Sequence, residues 1–444
     1  MLPLRRLPLI SQRTIFSFAK KPLWPFSSTA GPLIPQRELV DEEICPDYNS
    51  AAFYPAKPGD APADRFQLLV KIGWGTRSTV WLARDISRFK WQHEQAVALK
   101  ITNSNTYDEA QQENGIETHI MQQNTEHRGG VIVRKHLDDF EVTGPHGKHL
   151  CLVYEPMREP LWIFQRRFKS GNLPLPIAKA YIYCLLDLKL DNILMTFESE
   201  EILASFIDRQ QQQPMHYKVD DEADRIIYRC HNDFGALDVS QIKNMFPKIA
   251  DFGLASKLDQ LSETLHGMNG ESLGIYPIQP DHYRAPEVTL GCGWNSKAEI
   301  SGTLLWDIIG RKELFQQVLD ADGQYDAKSH LAEMISLLGP PPRAFLAKSK
   351  TLSKQNWPQP VTNERGKVCN NAEEFFDGPF FDAEDKFLFD ELVPSRSFED
   401  TIPFLEENDR EAFLSFARQM LAWVPEERKT ARELMDHPFL KLGG

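Results

Sequence analysis

Five short clusters in this chain have residue types and spacings suited to holding phosphate and a hard divalent cation. The first is the turn Gly73-Trp74-Gly75-Thr76-Arg77-Ser78-Thr79-Val80, whose small residues let backbone N–H groups come close to phosphate oxygens. Alone, such a run is more often just a turn. The second is Lys100, closing the apolar run Val97-Ala98-Leu99, an ammonium that would meet α- and β-phosphates if a carboxylate held it. Glu113 is the best-spaced carboxylate, with Glu109 and Glu117 as alternatives. The third is Asp187-Leu188-Lys189-Leu190-Asp191-Asn192. There Asp187 would orient a hydroxyl and take its proton, Lys189 would offset charge on a moving phosphoryl group, and Asn192 would ligate a metal ion. The fourth is Asp251 in Lys248-Ile249-Ala250-Asp251-Phe252-Gly253, a source of hard oxygens for magnesium. In the fifth, Ala285-Pro286-Glu287, the glutamate needs a buried cation, and Arg428 is well placed to be one. Each cluster taken singly reads equally as a polar loop or a solvated helix face. Five in this order at compatible spacing share one chemistry, phosphoryl transfer.

Such groups need scaffolding, and the pattern along the chain supplies it. Phe66–Val70, Thr79–Ala83, Ala96–Ile101 and His149–Tyr154 are short apolar runs of strand type. Residues 107–123 are polar and helix-compatible, with Ile116 and Ile120 one turn apart. Helical patterns follow at 175–186, 298–311, 328–338, 410–422 and 430–436. A strand-rich first part and a helix-rich second part predict an α+β chain of two lobes with a cleft between them. Residues 198–245, rich in glutamine and acids, read as a poorly ordered insertion.

Composition narrows the classes. With 444 residues, 41% hydrophobic and 25% charged, the chain has globular proportions, and its formal charge of −13 disfavours nucleic acid and favours basic partners. The 6 cysteines form no CxxC pairs, which argues against structural zinc and a secreted disulfide framework. No apolar run reaches the ~20 residues of a membrane span. From Met1 to Gln36 there is no acidic residue, while Arg5, Arg6, Arg13, Lys20 and Lys21 alternate with apolar and hydroxyl residues. That is the composition of a mitochondrial transit segment or of a disordered basic tail, and residues 1–45 are accordingly set outside the fold.

The five clusters together match the protein-kinase motif set, and finer detail resembles the serine/arginine-rich-protein kinases (SR-protein kinases), fungal type. The resemblance rests on Lys71-Ile72-Gly73-Trp74-Gly75-Thr76-Arg77-Ser78-Thr79-Val80-Trp81-Leu82-Ala83, on His149-Leu150-Cys151-Leu152-Val153-Tyr154-Glu155-Pro156 and on Gly291-Cys292-Gly293-Trp294. The insertion ahead of Asp251 is also a habit of that family. The resemblance implies a two-lobed kinase domain over 66–440, with a small β-rich N-lobe (66–154), a larger helical C-lobe (158–440) and an insertion at about 198–245. It implies Mg2+ and ATP, Ser/Thr phosphorylation, and basic Arg/Ser-rich protein substrates, with the acidic stretch Glu373 to Glu391 as a place for them to dock. Nucleotide would meet Ile72, Gly73, Gly75, Val80, Ala98, Lys100, Glu113, Tyr154, Glu155 and Met157. Metal would fall to Asn192 and Asp251, and catalysis to Asp187 and Lys189. Family likeness implies cytoplasm or nucleus, whereas the N-terminal composition implies mitochondrion.

Two departures stand out. Tyr181-Ile182-Tyr183-Cys184-Leu185-Leu186 runs straight into Asp187, where the family has a longer helix, a strand and a His-x-Asp. In Ala298-Glu299-Ile300-Ser301-Gly302, glutamate replaces the family's Asp and its Trp is missing. Both strike the support beneath Asp187. The readings are therefore an active kinase whose loop repacks, a pseudokinase serving as a nucleotide-binding or scaffolding module, or an imperfect gene model of an active enzyme.

Overall fold

The computed structural model describes residues 20–25, 31–123, 128–169, 171–185, 192–253, 255, 265–266 and 272–441. In chain order come β1 (Phe66–Gly75), β2 (Ser78–Asp85), β3 (Ala96–Thr102), α1 (Tyr107–Gln122), β4 (His136–Gly144) and β5 (Gly147–Tyr154). They are followed by β6 (Glu159–Pro160), α2 (Leu161–Gln165), α3 (Leu175–Leu185), β7 (Ile193–Met195), α4 (Glu200–Gln212), β8 (Tyr217–Asp220), β9 (Arg225–Tyr228) and β10 (Pro247–Ile249). The remaining helices are α5 (Pro286–Thr289), α6 (Leu304–Gly310), α7 (Ala327–Leu338), α8 (Arg343–Leu352), α9 (Ala372–Phe375), α10 (Glu407–Ala417) and α11 (Ala431–Met435). None of the described helices is long and apolar enough to cross a membrane.

The chain divides into two compact units. The first gathers the described residues up to Ala110, His136–Pro156 and Glu200–Gly235. Its centre is a five-stranded antiparallel sheet of order β1-β2-β3-β5-β4. A sheet wetted on one face alternates buried and exposed side chains, yet β1 and β2 are buried along most of their length. The second face is covered by segments that precede β1. Trp24, Ile34 and Val40 are buried, the Trp24 N–H donates to Gln67 Oε1 at 2.8 Å, and the Arg84 guanidinium lies 5.2 Å from the Trp24 ring centre. Described residues before position 46 are therefore part of this unit, contrary to the expectation that they lie outside the fold.

The insertion is likewise ordered where disorder was expected. Its helix α4 buries Phe206 against Phe234, with ring centres 4.4 Å apart, and β8 and β9 pair as a hairpin with Ile227 buried. Asp220 Oδ1 closes the hairpin turn by accepting from the Glu222 and Ala223 N–H groups, a turn chemistry hidden within an acid-rich run.

The second unit comprises Gln111–Lys135, Met157–Ser199 and Ala236 onward. Its large apolar core includes Trp306, Phe413, Phe416 and Phe439, and Trp306 meets Phe413 edge-on at 5.0 Å. The single helix expected at 298–311 is instead a 3-10 segment, Ser296–Ser301, followed by α6. Gly302 separates them at φ 73°, and a Cβ there would sit 2.8 Å from Met420 Cβ, so both its conformation and its neighbour require glycine.

Candidate active site

In the first unit, β1 and β2 form a hairpin through Thr76-Arg77, with Gly73 opposite Val80 and Gly75 opposite Ser78. Neither glycine adopts positive φ, and an added Cβ would meet only Val80 at the first, Cβ at 3.4 Å and Cγ2 at 3.6 Å, and Ser78 Oγ at 3.9 Å at the second. These are ordinary contacts. The fold of this unit could therefore carry side chains at both places.

Behind the turn, Ala98, Leu150, Leu152 and Tyr154 form a small apolar cluster on which Ile72 and Val80 pack. Sheet register accounts for it, with Val80 opposite Lys100, Leu82 opposite Ala98, and Ala98 opposite Tyr154. The expected nucleotide residues Ile72, Val80, Ala98 and Tyr154 thus share one apolar surface. Lys100, half-buried, lies on the same strand two residues beyond Ala98, so its side chain leaves β3 on the face Ala98 uses. Glu155 is half-exposed just past β5, and Met157 is buried in the second unit.

The three candidate carboxylates of α1 separate cleanly. Glu109 is exposed and pairs with Arg77 at 2.8 Å. Glu117 is buried beside Arg134 at 3.8 Å. Glu113 is buried too, and its Oε2 lies 3.9 Å from where a Cβ on Gly253 would be. Glu113 is therefore the one that borders the Asp251-Phe252-Gly253 segment.

Asn192 and Asp251, far apart in sequence, meet because they flank an antiparallel pair. Ile193 of β7 lies opposite Ile249 of β10, and the Ala250 N–H donates to the Asn192 carbonyl at 2.6 Å. Just beyond, Asn192 Nδ2 donates to the Asp251 carbonyl at 3.0 Å, which leaves its Oδ1 as an acceptor. Asp251 is exposed and held at φ 65°, a left-handed conformation that costs a non-glycine residue on the order of 1–3 kcal/mol. Its Oδ1 accepts from the Gly253 N–H at 3.3 Å. An amide oxygen and a carboxylate on adjoining backbone form a hard, oxygen-only donor set, which fits magnesium. Asp187 and Lys189 lie outside the described residues.

Elsewhere in the second unit, residues that sequence reasoning did not single out hold the backbone. Arg284 Nη2 donates to the Gln279 carbonyl at 3.1 Å, and Gln279 sits at φ 68°. The Gln279 side chain in turn accepts from the Ala285 N–H at 2.8 Å and donates to the Ala298 carbonyl at 3.0 Å. Arg158 is fully buried and donates to Glu198 Oε2 at 2.9 Å, tying the residue after Met157 to the stretch after β7. Its partner lies too far along the chain to be read from local pattern.

The acidic stretch proposed for docking is largely compensated within the unit. Glu373 pairs with Lys354, Asp377 with Arg365 and Lys367, Asp385 with Lys350, and Asp390 with Lys386. Glu374 accepts from the Asn370 N–H, and Asp382 from the Glu384 and Lys386 N–H groups. Glu384 and Glu391 are exposed.

No protein-family model matches the chain. It is 33% identical over 420 residues to a serine/threonine protein kinase of Aspergillus fumigatus, covering 92% of this chain and 93% of that one. It is 26% identical over 431 residues to the serine/threonine-protein kinase SRPK of Physarum polycephalum, covering 90% and 91%. Among solved structures, a kinase domain superposes with a TM-score of 0.57 at 19% identity, spanning 88% of this chain and all of that one, which speaks for the fold alone.

Proposed function

The chain belongs to the serine/threonine protein kinases of the SR-protein-kinase-like group, and on that footing we propose how its own residues divide the work of moving the ATP γ-phosphoryl group to a protein hydroxyl. Ile72, Val80, Ala98, Tyr154 and Met157 give the adenine an apolar bed, and the backbone at Glu155 and Met157 offers hydrogen bonds to its edge. The N–H groups of the Gly73–Gly75 turn face phosphate oxygens, and Lys100 meets the α- and β-phosphates, with Glu113 as the carboxylate that orients it. Asn192 and Asp251 hold magnesium, which supplies charge neutralisation on the phosphates when bound. Asp187 orients the substrate hydroxyl and accepts its proton, and Lys189 offsets charge on the phosphoryl group in transit.

The observation that carries this assignment is the meeting of Asn192 with a left-handed Asp251. Strain of that kind persists where surrounding structure maintains it, and it turns a carboxylate outward beside an amide oxygen. The bareness of Gly73 and Gly75 supports it independently. No observation favours a module without turnover over an enzyme.

Substrates are Ser/Thr in basic, Arg/Ser-rich segments, a reading supported by the −13 charge of the chain and its likeness to the Physarum kinase named SRPK. Because most acids of 373–391 are paired internally, the exposed Glu384 and Glu391 are the positions there to which arginines would dock. We place the catalytic domain at 66–440, and any targeting role of the basic N-terminus ahead of the described segment that packs from position 20.

Recombinant full-length chain tests the proposal through phosphate transfer from Mg-ATP to an Arg/Ser-repeat peptide and through Mg-ATP thermal stabilisation. Transfer that Asp187→Ala abolishes supports the assignment. Transfer that survives Asp187→Ala would remove Asp187 from it, and stabilisation without any transfer would favour the pseudokinase.

A further inference from the structure

The end of β1 is held by more than its pairing with β2. The ladder to β2 shifts register twice, between Leu68 and Val70 and again after Lys71, which lies opposite Trp81 while Gly73 faces Val80 with Ile72 as the extra residue. A bulge of this kind frees the following backbone to be aimed by other contacts. Those contacts converge on Lys71. Its side chain is 1% exposed, and its Nζ meets Glu42 Oε2, Asp41 Oδ2 at 3.1 Å and the Tyr228 carbonyl at 2.9 Å. Its own carbonyl accepts from the His231 N–H at 2.8 Å. Glu42, with no exposed surface, uses its other oxygen to accept from Arg225 Nη2 at 2.6 Å. Asp41 Oδ2 also accepts from the Cys230 N–H at 2.6 Å. Everything in this cluster belongs to the first unit.

Two ordinarily distant segments thus hold one residue, and that residue adjoins Ile72 and Gly73. The burial cost of the Lys71 ammonium and of the Glu42 carboxylate is met by each other and by Arg225. With Glu42 neutral, Lys71 keeps only the less buried Asp41 carboxylate and the Tyr228 carbonyl, and the bulge at Ile72 lets the adjoining glycine turn shift with it. We infer that Glu42 is a positioning residue for the nucleotide: acting through Lys71, it sets the conformation in which the Gly73–Gly75 amides meet phosphate. This rests on the nucleotide assignment above and adds to it a residue outside the kinase motif set.

The test uses the full-length chain with Glu42→Gln, and with Arg225→Gln as a control that disturbs Glu42 but leaves its contact to Lys71. Two quantities are read well below the melting temperature: amide hydrogen exchange at residues 72–75 without nucleotide, and the Mg-ATP dissociation constant. Glu42→Gln should speed exchange at 72–75 about tenfold and weaken Mg-ATP about tenfold, with kcat at saturating ATP within about twofold. Arg225→Gln should lower the melting temperature while leaving both quantities within about twofold. Equal melting losses in the two variants, with exchange and affinity unchanged in both, would overturn the inference and leave Glu42 as a brace for stability only. If Glu42→Gln does not fold, Lys71→Met, which keeps bulk and leaves Glu42 paired with Arg225, must show the same faster exchange. Should the unaltered chain fail to bind Mg-ATP, the nucleotide assignment falls, and the exchange measurement alone decides whether Glu42 holds the turn.

Discussion

Arg428 grips Glu287 with both ends of its guanidinium, Nη1 to Oε1 at 2.7 Å and Nη2 to Oε2 at 2.6 Å, and neither side chain has more than 1% of its surface exposed. The same guanidinium donates to the Lys297 and Ala422 carbonyls, so one cation joins α5, the 3-10 segment Ser296–Ser301 and the loop after α10. Glu287→Ala or Arg428→Ala should each destabilise the chain by about 3–5 kcal/mol, because either leaves an uncompensated buried charge. Urea unfolding measures this. Arg428→Lys, which keeps the charge but not the fork, should cost less. A loss below about 1 kcal/mol in the alanine variants would mean that the pair is not buried in solution.

At Gly73 and Gly75 the expectation runs the other way. A methyl group meets only ordinary contacts at both, and φ is unexceptional, so Gly73→Ala and Gly75→Ala should leave stability unchanged or raise it by about 0.4–1 kcal/mol. Mg-ATP affinity should nevertheless fall by about tenfold or more, since the methyl intrudes where phosphate approaches. Unfolding curves beside nucleotide titrations separate the two effects. Affinity that survives both substitutions would remove the turn from the nucleotide site.

Asp251→Ala and Asn192→Ala should erase the magnesium-dependent part of ATP stabilisation. For the unaltered chain at ligand about a hundred times its dissociation constant, that stabilisation is on the order of 2.7 kcal/mol. Asp251→Ala also places an alanine at positive φ and loses the contact from the Gly253 N–H, so the apo protein should be no more stable than the unaltered chain. Thermal shift with ATP, with and without magnesium, is the readout. A magnesium increment that persists in both variants would mean that the metal is held elsewhere.

His330 supplies a pH dependence. It is wholly buried between Phe315 and Tyr325, with the Tyr325 hydroxyl 2.9 Å from Nδ1. Burial, followed by the nearby positive charges of Arg284 and His282, pushes its pKa well below the usual imidazole range. Below pH ~6.5 the unfolded chain therefore takes up a proton that the folded chain refuses, and stability falls as pH drops, by up to ~1.4 kcal/mol per pH unit. His330→Asn should flatten that fall between about pH 6.5 and 5. An unaltered slope in the variant would show that another group sets it.

Local patterns carried the sequence reading a long way. Strand runs around the glycine turn, Lys100 and Tyr154 were readable from apolar periodicity, and the Glu287–Arg428 pair from the need of a buried acid for a cation. What escaped was long-range pairing of charged residues. Asp41, Glu42 and Glu43 look like a solvated acidic run, and Arg225 and Lys218 look like a polar loop. Their mutual neutralisation, Glu42 with Lys71 and Arg225, and Glu43 with Lys218, is what lets these charges be buried. Composition registers the charges but not the partners. The break at Gly302 escaped for a related reason, since the side chain that crowds it belongs to Met420.

The joining of Glu42 to Arg225 also has a consequence in time. The two residues are 183 positions apart, and translation proceeds at ~5–20 residues per second, so roughly 10–40 s separate their synthesis. Within that interval the first five strands are made, and β1 carries Lys71 with only part of its eventual shell. The nascent N-terminal sheet cannot close its outer face until β9 has left the ribosome, which makes the insertion the last piece of the first unit to arrive and the step on which its completion waits.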